Sequence, residues 1–207
     1  MITVLKNDIV KAFIGAIVVL MLLVVYGITT PTMPDSRESV VLLTDGMGHG
    51  SGTIIDVNCV LTAKHCTGHP GLVVQTLDGD EYEIIKIVAD SNSDLALIYI
   101  DGQFDERPLE LCDVPLEIGD LVTVIGAPYE VGLIGTVLTG HVVNIDHEVV
   151  IPGYEPDVNM DILDTHAGPG CSGGPVLDSQ GRVRGVFTLG QGMLGGAVPI
   201  EELDVGP

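Results

Sequence analysis

The chain has 207 residues, of which 46% are hydrophobic and only 18% are charged, and its mean hydropathy is +0.45. This composition excludes an intrinsically disordered chain and leaves room for one domain, or for one domain and a membrane segment. The 29 acidic and 8 basic side chains give a formal net charge of −21. Nucleic acid is therefore not expected as a partner, because so negative a surface repels phosphate.

An uncharged, apolar segment lies near the start of the chain, at residues 12–30. As a helix it would be about 28 Å long, which matches the roughly 30 Å of a bilayer interior. We therefore predict one transmembrane helix that serves as an uncleaved signal anchor. Lys6 and Lys11 precede it, so the positive-inside rule places residues 1–11 in the cytoplasm and the remainder in the periplasm or outside the cell. A cleavable signal peptide and a buried core helix are the alternatives; the length of the segment argues against the first and its lack of a polar face against the second.

After a predicted linker at 31–37, the chain consists of short apolar runs separated by Gly, Pro, Asp and Asn. About a dozen such runs with frequent turn signals predict an all-β barrel or sandwich architecture. A segment rich in Asp, Glu and Pro, at 101–115, divides them into two sets. The predicted strands are at 39–43, 52–56, 59–63, 72–76, 81–89 and 94–100, and then at 121–127, 132–145, 147–151, 175–178, 182–189 and 196–200.

Three motifs carry side chains that are suited to covalent hydrolysis. They are TAKHC at 62–66, SDLALI at 93–98 and GCSGGP at 170–175. A single histidine or aspartate next to a strand is usually structural, but a glycine-rich turn around a serine is what acyl transfer needs if backbone N–H groups are to converge beside a nucleophile. Together the motifs supply a nucleophile, a base and an orienting carboxylate.

These motifs resemble those of the trypsin-like serine peptidases, and within them the HtrA/Deg-like subgroup. TAKHC is similar to the TAAHC around the family's catalytic histidine, and GCSGGP is similar to its GxSGGP nucleophile loop. Two further segments agree with the resemblance: GHGSG at 48–52, and GRVRGV at 181–186 followed by GAVPI at 196–200. The resemblance covers roughly residues 38–203, and we expect a member of the subgroup without a PDZ domain.

The fold that the resemblance implies is two six-stranded antiparallel β-barrels with the active site between them. The peptidase domain is expected at 38–207, with the first barrel at 38–113 and the second at 114–203. The implied activity is that of a membrane-anchored serine endopeptidase which acts on polypeptides and needs no cofactor or metal.

The implied catalytic residues are His65 as the base, Asp94 as its orienting carboxylate and Ser172 as the nucleophile. The backbone N–H groups of Gly170 and Ser172 would form the oxyanion hole. Asp90 competes with Asp94, but Asp94 has the SDLAL context of the family. A cysteine nucleophile at 171 competes with Ser172, but the position directly before the two glycines is the serine.

Substrate contacts are also implied by similarity. Thr188, Leu189 and Gly190 should form the edge strand that pairs with the substrate backbone. His166 should lie near the base of the specificity pocket, either selecting acidic side chains or making a structural hydrogen bond. The other histidines, including His49, are expected at turns or on the surface.

The four cysteines, Cys59, Cys66, Cys112 and Cys171, suit an oxidising compartment and permit two disulfides of unassigned pairing. A zinc cluster around Cys59 and Cys66 is not expected, because the spacing fits no standard site. The alternative to an active protease is a proteolytically inactive module of the same fold that binds extended peptides. The sequence does not predict an oligomeric state.

Overall fold

Thirteen β-strands and three single-turn 3₁₀ helices make up the regular structure of residues 35–150 and 158–204, which are the residues that the computed structural model describes. The strands of the first sheet are β1 Val40–Thr44, β2 His49–Asp56, β3 Cys59–Ala63, β4 Val73–Gln75, β5 Glu81–Tyr82, β6 Ile84–Ala89 and β7 Leu95–Ile100. Those of the second are β8 Leu121–Gly126, β9 Thr136–Val149, β10 Val158–Leu163, β11 Pro175–Leu177, β12 Val183–Gln191 and β13 Leu194–Pro199. The 3₁₀ helices are Lys64–Cys66, Val131–Leu133 and Ile200–Glu202.

The all-β prediction is confirmed, and the second sheet is a closed barrel of six antiparallel strands in the order β10-β13-β12-β11-β8-β9. The prediction of a six-stranded first barrel is wrong in its strand count. That sheet has seven strands in the order β5-β4-β1-β2-β3-β7-β6, because the run predicted as one strand at 81–89 breaks at Glu83. Only this residue separates β5 from β6, although the two strands lie at opposite edges of the sheet. The sheet must therefore curl until its two edges come close together, which makes it barrel-like.

The segment between the two sheets is hydrogen-bonded to both of them. The N–H groups of Phe104 and Leu109 donate to Val57 and Ile54 of the first sheet, at 2.7 and 2.9 Å. Further along, Cys112 donates to the carbonyl of Val183 on the barrel at 2.9 Å. The predicted connection at 101–115 is thus part of the packed structure.

A continuous apolar core joins the sheets. One cluster of buried side chains includes Leu61 and Leu95 from the first sheet together with Ile125, Met160 and Val186 from the barrel. A second cluster, which includes Phe187 and Cys171, lies within the barrel. Burial of apolar surface on both faces therefore fixes how the two sheets dock.

The described residues contain no helix of sufficient length and hydrophobicity to cross a membrane. The transmembrane helix predicted at 12–30 lies outside the described residues.

Candidate active site

His65 and Asp94 are brought together by the pairing of β3 with β7, in which Ala63 lies opposite Leu95. His65 follows β3 in the 3₁₀ helix and Asp94 directly precedes β7. The imidazole Nδ1–H donates to Asp94 Oδ2 at 2.7 Å, and the backbone N–H of His65 donates to Oδ1 at 3.0 Å. Since an ionised carboxylate can only accept hydrogen bonds, this contact leaves Nε2 as the acceptor nitrogen of the neutral ring.

Asp94 and Asp90 have different surroundings. The Asp90 carboxylate accepts the N–H groups of Asn92, Ser93 and Asp204, at 2.7, 3.3 and 2.7 Å. It therefore caps a turn and ties that turn to the C-terminal segment. Lys64 supports the same turn, because its Nζ donates to the carbonyls of Asp90 and Ser93 at 2.8 and 3.2 Å. Of the two competing carboxylates, only Asp94 is hydrogen-bonded to His65.

The imidazole of His65 is shifted towards its charged form. Burial favours the neutral ring, but the hydrogen bonds to Asp94 and Cys66 and the negative charge of Asp94 outweigh it, so that the pKa of His65 is raised above its ordinary value of 6.5. Asp94 is 2% exposed, and a carboxylate so well shielded from water interacts strongly with a neighbouring cation. The pair is therefore well suited to stabilising an imidazolium.

Ser172 lies in a tight loop before β11, on the barrel side of the site. Its hydroxyl donates to the carbonyl of Thr188 on β12 at 3.0 Å, and Ser172 and His65 line one cavity of about 190 Å³. The flanking glycines are required by the backbone: Gly170 and Gly173 have φ of +93° and +90°, in the left-handed region. A Cβ on Gly173 would lie 2.0 Å from the carbonyl oxygen of Ser51.

Gly170 and Ser172 each contribute a backbone N–H group to this loop. The intervening Cys171 N–H donates to Gly168 O at 3.0 Å, and the Gly173 N–H donates to Phe187 O at 2.7 Å. Among the described residues, neither the Gly170 nor the Ser172 N–H has an acceptor. Two donors without protein acceptors beside a serine hydroxyl can bind an oxyanion.

Ser51 of β2 connects the first sheet to this loop and was not predicted as a site residue. Its hydroxyl donates to Gly170 O at 2.7 Å and accepts the Ala127 N–H at 3.1 Å. Its backbone N–H donates to Ser172 O at 2.7 Å, and its own carbonyl accepts the hydroxyl of Thr62 at 2.7 Å. Only the GHGSG motif pointed to it in the sequence.

His49 is not a simple surface residue, contrary to expectation. It is half-buried, and its Nε2 donates to Ala127 O at 2.8 Å. The same nitrogen lies 2.4 Å from the position that a Cβ on Gly170 would occupy. His49 therefore packs against the nucleophile loop, which explains why Gly170 has no room for a side chain.

The predicted substrate-binding residues are distributed along β12 and the loop before Ser172. β11 pairs with β12 only as far as Val186, so the edge of β12 at Thr188, Leu189 and Gly190 is not covered by β11. Thr188 is buried, whereas Leu189 and Gly190 are partly exposed. His166 is exposed, and its role in specificity stays a prediction.

All four cysteines are free and buried. Cys171 is 0% exposed and packs in the barrel core with side chains that include Val124 and Phe187. Burial also raises the pKa of its thiol above the usual value, although a hydrogen bond with the backbone of Gly168 acts in the opposite direction. Within the described ranges, His, Cys, Asp and Glu side chains form no group of three or more that could hold a metal ion.

The chain matches the family model of the trypsin-like peptidase domain over residues 50–186, and it belongs to that family. Its relatives include the putative serine protease HhoA of Synechocystis, which is 33% identical over 86% of this chain and 45% of its own length. The serine endoprotease DegS of Escherichia coli K12 is 32% identical over 68% of this chain and 39% of its own length. The chain thus spans less than half the length of these curated relatives. Its similarity to them is consistent with an HtrA-like peptidase.

Solved structures agree with the fold. An inactive form of Rv3671c from M. tuberculosis H37Rv has a TM-score of 0.70 at 22% identity, covering 84% of this chain and 87% of that one. A variant of the HtrA-type protease AlgW with a tripeptide has a TM-score of 0.68 at 26% identity, covering 81% of this chain and 58% of that one.

Proposed function

We propose that the chain is a serine endopeptidase that hydrolyses peptide bonds with His65, Asp94 and Ser172. The observation that carries this proposal is that His65, which is hydrogen-bonded to Asp94, lines the same cavity as Ser172. Family membership and relatives named as serine proteases support it.

The reaction would begin when the Ser172 hydroxyl turns from Thr188 O towards His65 Nε2. As Oγ attacks the scissile carbonyl, Nε2 takes its proton and then delivers it to the leaving amine, which produces an acyl-enzyme. Water enters, gives its proton to the same nitrogen and releases the acid, and the serine regains its proton. Asp94 keeps Nδ1 protonated throughout and stabilises the imidazolium.

The N–H groups of Gly170 and Ser172 would stabilise the negative oxygen of each tetrahedral intermediate. Loss of one such donor typically costs about 3–4 kcal/mol of transition-state stabilisation. Because the donors belong to the backbone, their placement depends on the contacts of the loop with Ser51 and His49.

The polypeptide substrate would add a strand to the uncovered edge of β12 at Thr188–Gly190. Main-chain hydrogen bonds along an edge strand provide affinity with little dependence on sequence. Binding there places the acyl part of the scissile bond next to Ser172, whose hydroxyl contacts Thr188 O.

The cysteine-nucleophile alternative has little support from the geometry. Cys171 is enclosed in the barrel core, and its raised pKa disfavours the reactive thiolate. Ser172, by contrast, is partly exposed and lines the cavity.

Labelling of the full-length chain with a fluorophosphonate probe tests the proposal. The wild type should be labelled and the Ser172→Ala variant should not, and both should unfold at similar denaturant concentrations. Labelling that persists in the variant would identify another nucleophile. A folded wild type that resists labelling and cleaves no protein would instead be the inactive peptide-binding module.

We further propose that residues 12–30 anchor the protein in a membrane with the peptidase domain outside the cytoplasm. The support is the length of the uncharged segment and the two lysines before it. Protease added to intact cells should digest the domain only if this orientation is correct. Protection until the membrane is broken would overturn it.

A further inference from the structure

The cavity that contains His65 and Ser172 extends away from β12 to the hairpin between β1 and β2. Besides those two residues, its walls include Leu43, Asp45, His49, His69 and Leu72. It therefore combines apolar side chains with one carboxylate and, counting His65, three imidazoles around a volume of about 190 Å³. None of these five residues has a part in the proposed chemical steps.

The direction of the cavity identifies the part of a substrate that would enter it. The acyl side of the scissile bond is expected along Thr188–Gly190 of β12, as proposed above. The chain on the amine side must then leave Ser172 in the other direction. Because the cavity is bounded by Gly48, in the turn before β2, and by Gly50 of β2, the side chains that follow the scissile bond would lie in it.

Among the residues that the structure describes, Asp45 is the only carboxylate that lines this cavity. Its Oδ1 accepts the N–H groups of Met47 and Gly48, both at 2.8 Å, which closes the hairpin turn. These backbone hydrogen bonds hold the pKa of Asp45 below its usual value, so the group is charged at neutral pH.

The second oxygen of Asp45 is not needed for the turn. No donor among the described residues lies at hydrogen-bond distance from Oδ2; its neighbour is His69 Nδ1, at 3.8 Å. The Asp45 side chain is only 14% exposed, while that of His69 is 61% exposed and has room to move aside. A charged oxygen that is mostly withdrawn from water is expected to bind a cation that provides hydrogen bonds.

We propose that Asp45 forms a subsite for a lysine or arginine side chain at one of the two substrate residues that follow the scissile bond. The aliphatic part of such a side chain would pack against Leu72, which is partly exposed, and its charged end would donate to Asp45 Oδ2. This inference rests on the proposed endopeptidase function and adds a substrate class to it: polypeptides with a basic residue just after the cleaved bond.

Digestion of a proteome-derived peptide library by the full-length protein, followed by mass spectrometry of the new ends, tests this subsite. Lysine and arginine should be enriched about fivefold at one of the two positions after the cut, as expected for a partly shielded ion pair. The enrichment should decrease at high salt, because salt screens the pair.

The Asp45→Asn variant keeps an oxygen for the Met47 and Gly48 N–H groups but removes the charge. Its enrichment of basic residues should fall to background, whereas Asp45→Lys should favour acidic residues at the same position. Asp113→Asn is the matched control, since it removes one charge from an exposed residue outside the cavity, and it should keep the wild-type preference.

Failure of the subsite and failure of the protease give different results. Cleavage that depends on Ser172 but has no basic preference, or a preference that persists in Asp45→Asn, overturns the subsite alone. The absence of any cleavage by the folded wild type overturns the endopeptidase proposal and the subsite with it.

Discussion

The carboxylate of Asp94 accepts hydrogen bonds from both the ring and the backbone of His65. A substitution that keeps its size but removes its charge therefore tests whether the charge itself is needed for activity. Asp94→Asn keeps the size of the side chain but can leave the imidazole in the wrong tautomer. Turnover should fall by about 10⁴-fold, the loss seen when the aspartate of such a triad becomes asparagine. Steady-state kinetics on a peptide from the library digestion measures this, and a loss of less than tenfold would contradict the assigned role.

The raised pKa of His65 gives a second residue-scale prediction, on pH. Only the neutral ring can accept the serine proton, so activity should be lost as the pH falls through the pKa of His65. This acidic limb should lie above 6.5, the ordinary value for histidine. In Asp94→Asn the limb should move to lower pH, since the carboxylate that favours the imidazolium is gone. NMR titration of the ring in Ser172→Ala provides an independent measurement.

Asp161 on β10 carries a buried charge that the fold tolerates at a cost. Burial, with repulsion from Glu201 and Asp146, raises its pKa to about 6, although the Asp146 N–H opposes the shift. Below the unfolded value of 3.8 the group is protonated in both states; as the pH rises through 6, stability is lost because the folded state resists ionisation. Asp161→Asn should therefore gain about 2–3 kcal/mol of unfolding free energy at pH 7.5, about half as much at pH 5 and much less at pH 4.

Urea unfolding at several pH values measures the effect of Asp161→Asn, with Asp178→Asn as a control of opposite sign. Burial of Asp178 is outweighed by hydrogen bonds that include those from Arg182, which lower its pKa. Asp178→Asn should thus lose stability at neutral pH. A gain for Asp161→Asn that does not vary with pH would contradict the titration argument.

At the scale of elements, β2 does more than complete the first sheet, because Ser51 holds the nucleophile loop. Ser51→Ala would leave the Gly170 carbonyl and the Ala127 N–H without their buried partner, at a cost of about 1–3 kcal/mol in stability. Displacement of the loop should lower kcat more than it raises KM. The effect is measured by steady-state kinetics together with urea unfolding.

Thr53, two residues further along the same strand, provides the matched control. Its hydroxyl is buried without a hydrogen-bond partner among the described residues, so Thr53→Val removes a hydroxyl at almost no cost. Equal effects of Ser51→Ala and Thr53→Val on kcat would show that the hydrogen bonds of Ser51 do not position the loop.

The strand predictions succeeded where apolar runs were short and bounded by turns, as at 59–63 and 121–127. They failed where one polar residue decided the topology. β9 was predicted as two strands, because Asp146 looked like a turn; in the structure it has a φ of +54° within one continuous strand. β10 was missed, since Asn159 and Asp161 interrupt its apolar pattern and its burial depends on partners distant in sequence.

The same limit applies to the candidate site. His65, Asp94 and Ser172 could be chosen from motifs, because their local sequences are distinctive. The hydrogen bonds of Ser51 and the cavity contacts of Asp45 depend on how two sheets dock, which no local pattern contains. Nothing in the motifs showed that the Ser172 hydroxyl donates to Thr188 O.

At the scale of the whole molecule, the acidic residues behind the net charge of −21 are concentrated after the predicted anchor. Asp8 is the only acidic residue before residue 31. Mutual repulsion among so many carboxylates opposes the compact state. Salt screens this repulsion beyond about 10 Å at 0.1 M and beyond about 3 Å at 1 M. We expect the unfolding midpoint to rise between these salt concentrations. Thermal unfolding in NaCl tests this expectation. A constant or falling midpoint would show that charge repulsion contributes little to the free energy of unfolding.

The hydrogen-bonded pair of His65 and Asp94 is built by one sheet, whereas Ser172 is carried by the other and reaches the pair only through docking. A chain whose first sheet has formed, but whose barrel has not, holds a base with no serine beside it. Under the proposed function, a newly made chain would therefore be harmless to itself and to its neighbours until folding is complete. The docking of the sheets would serve as its activation step.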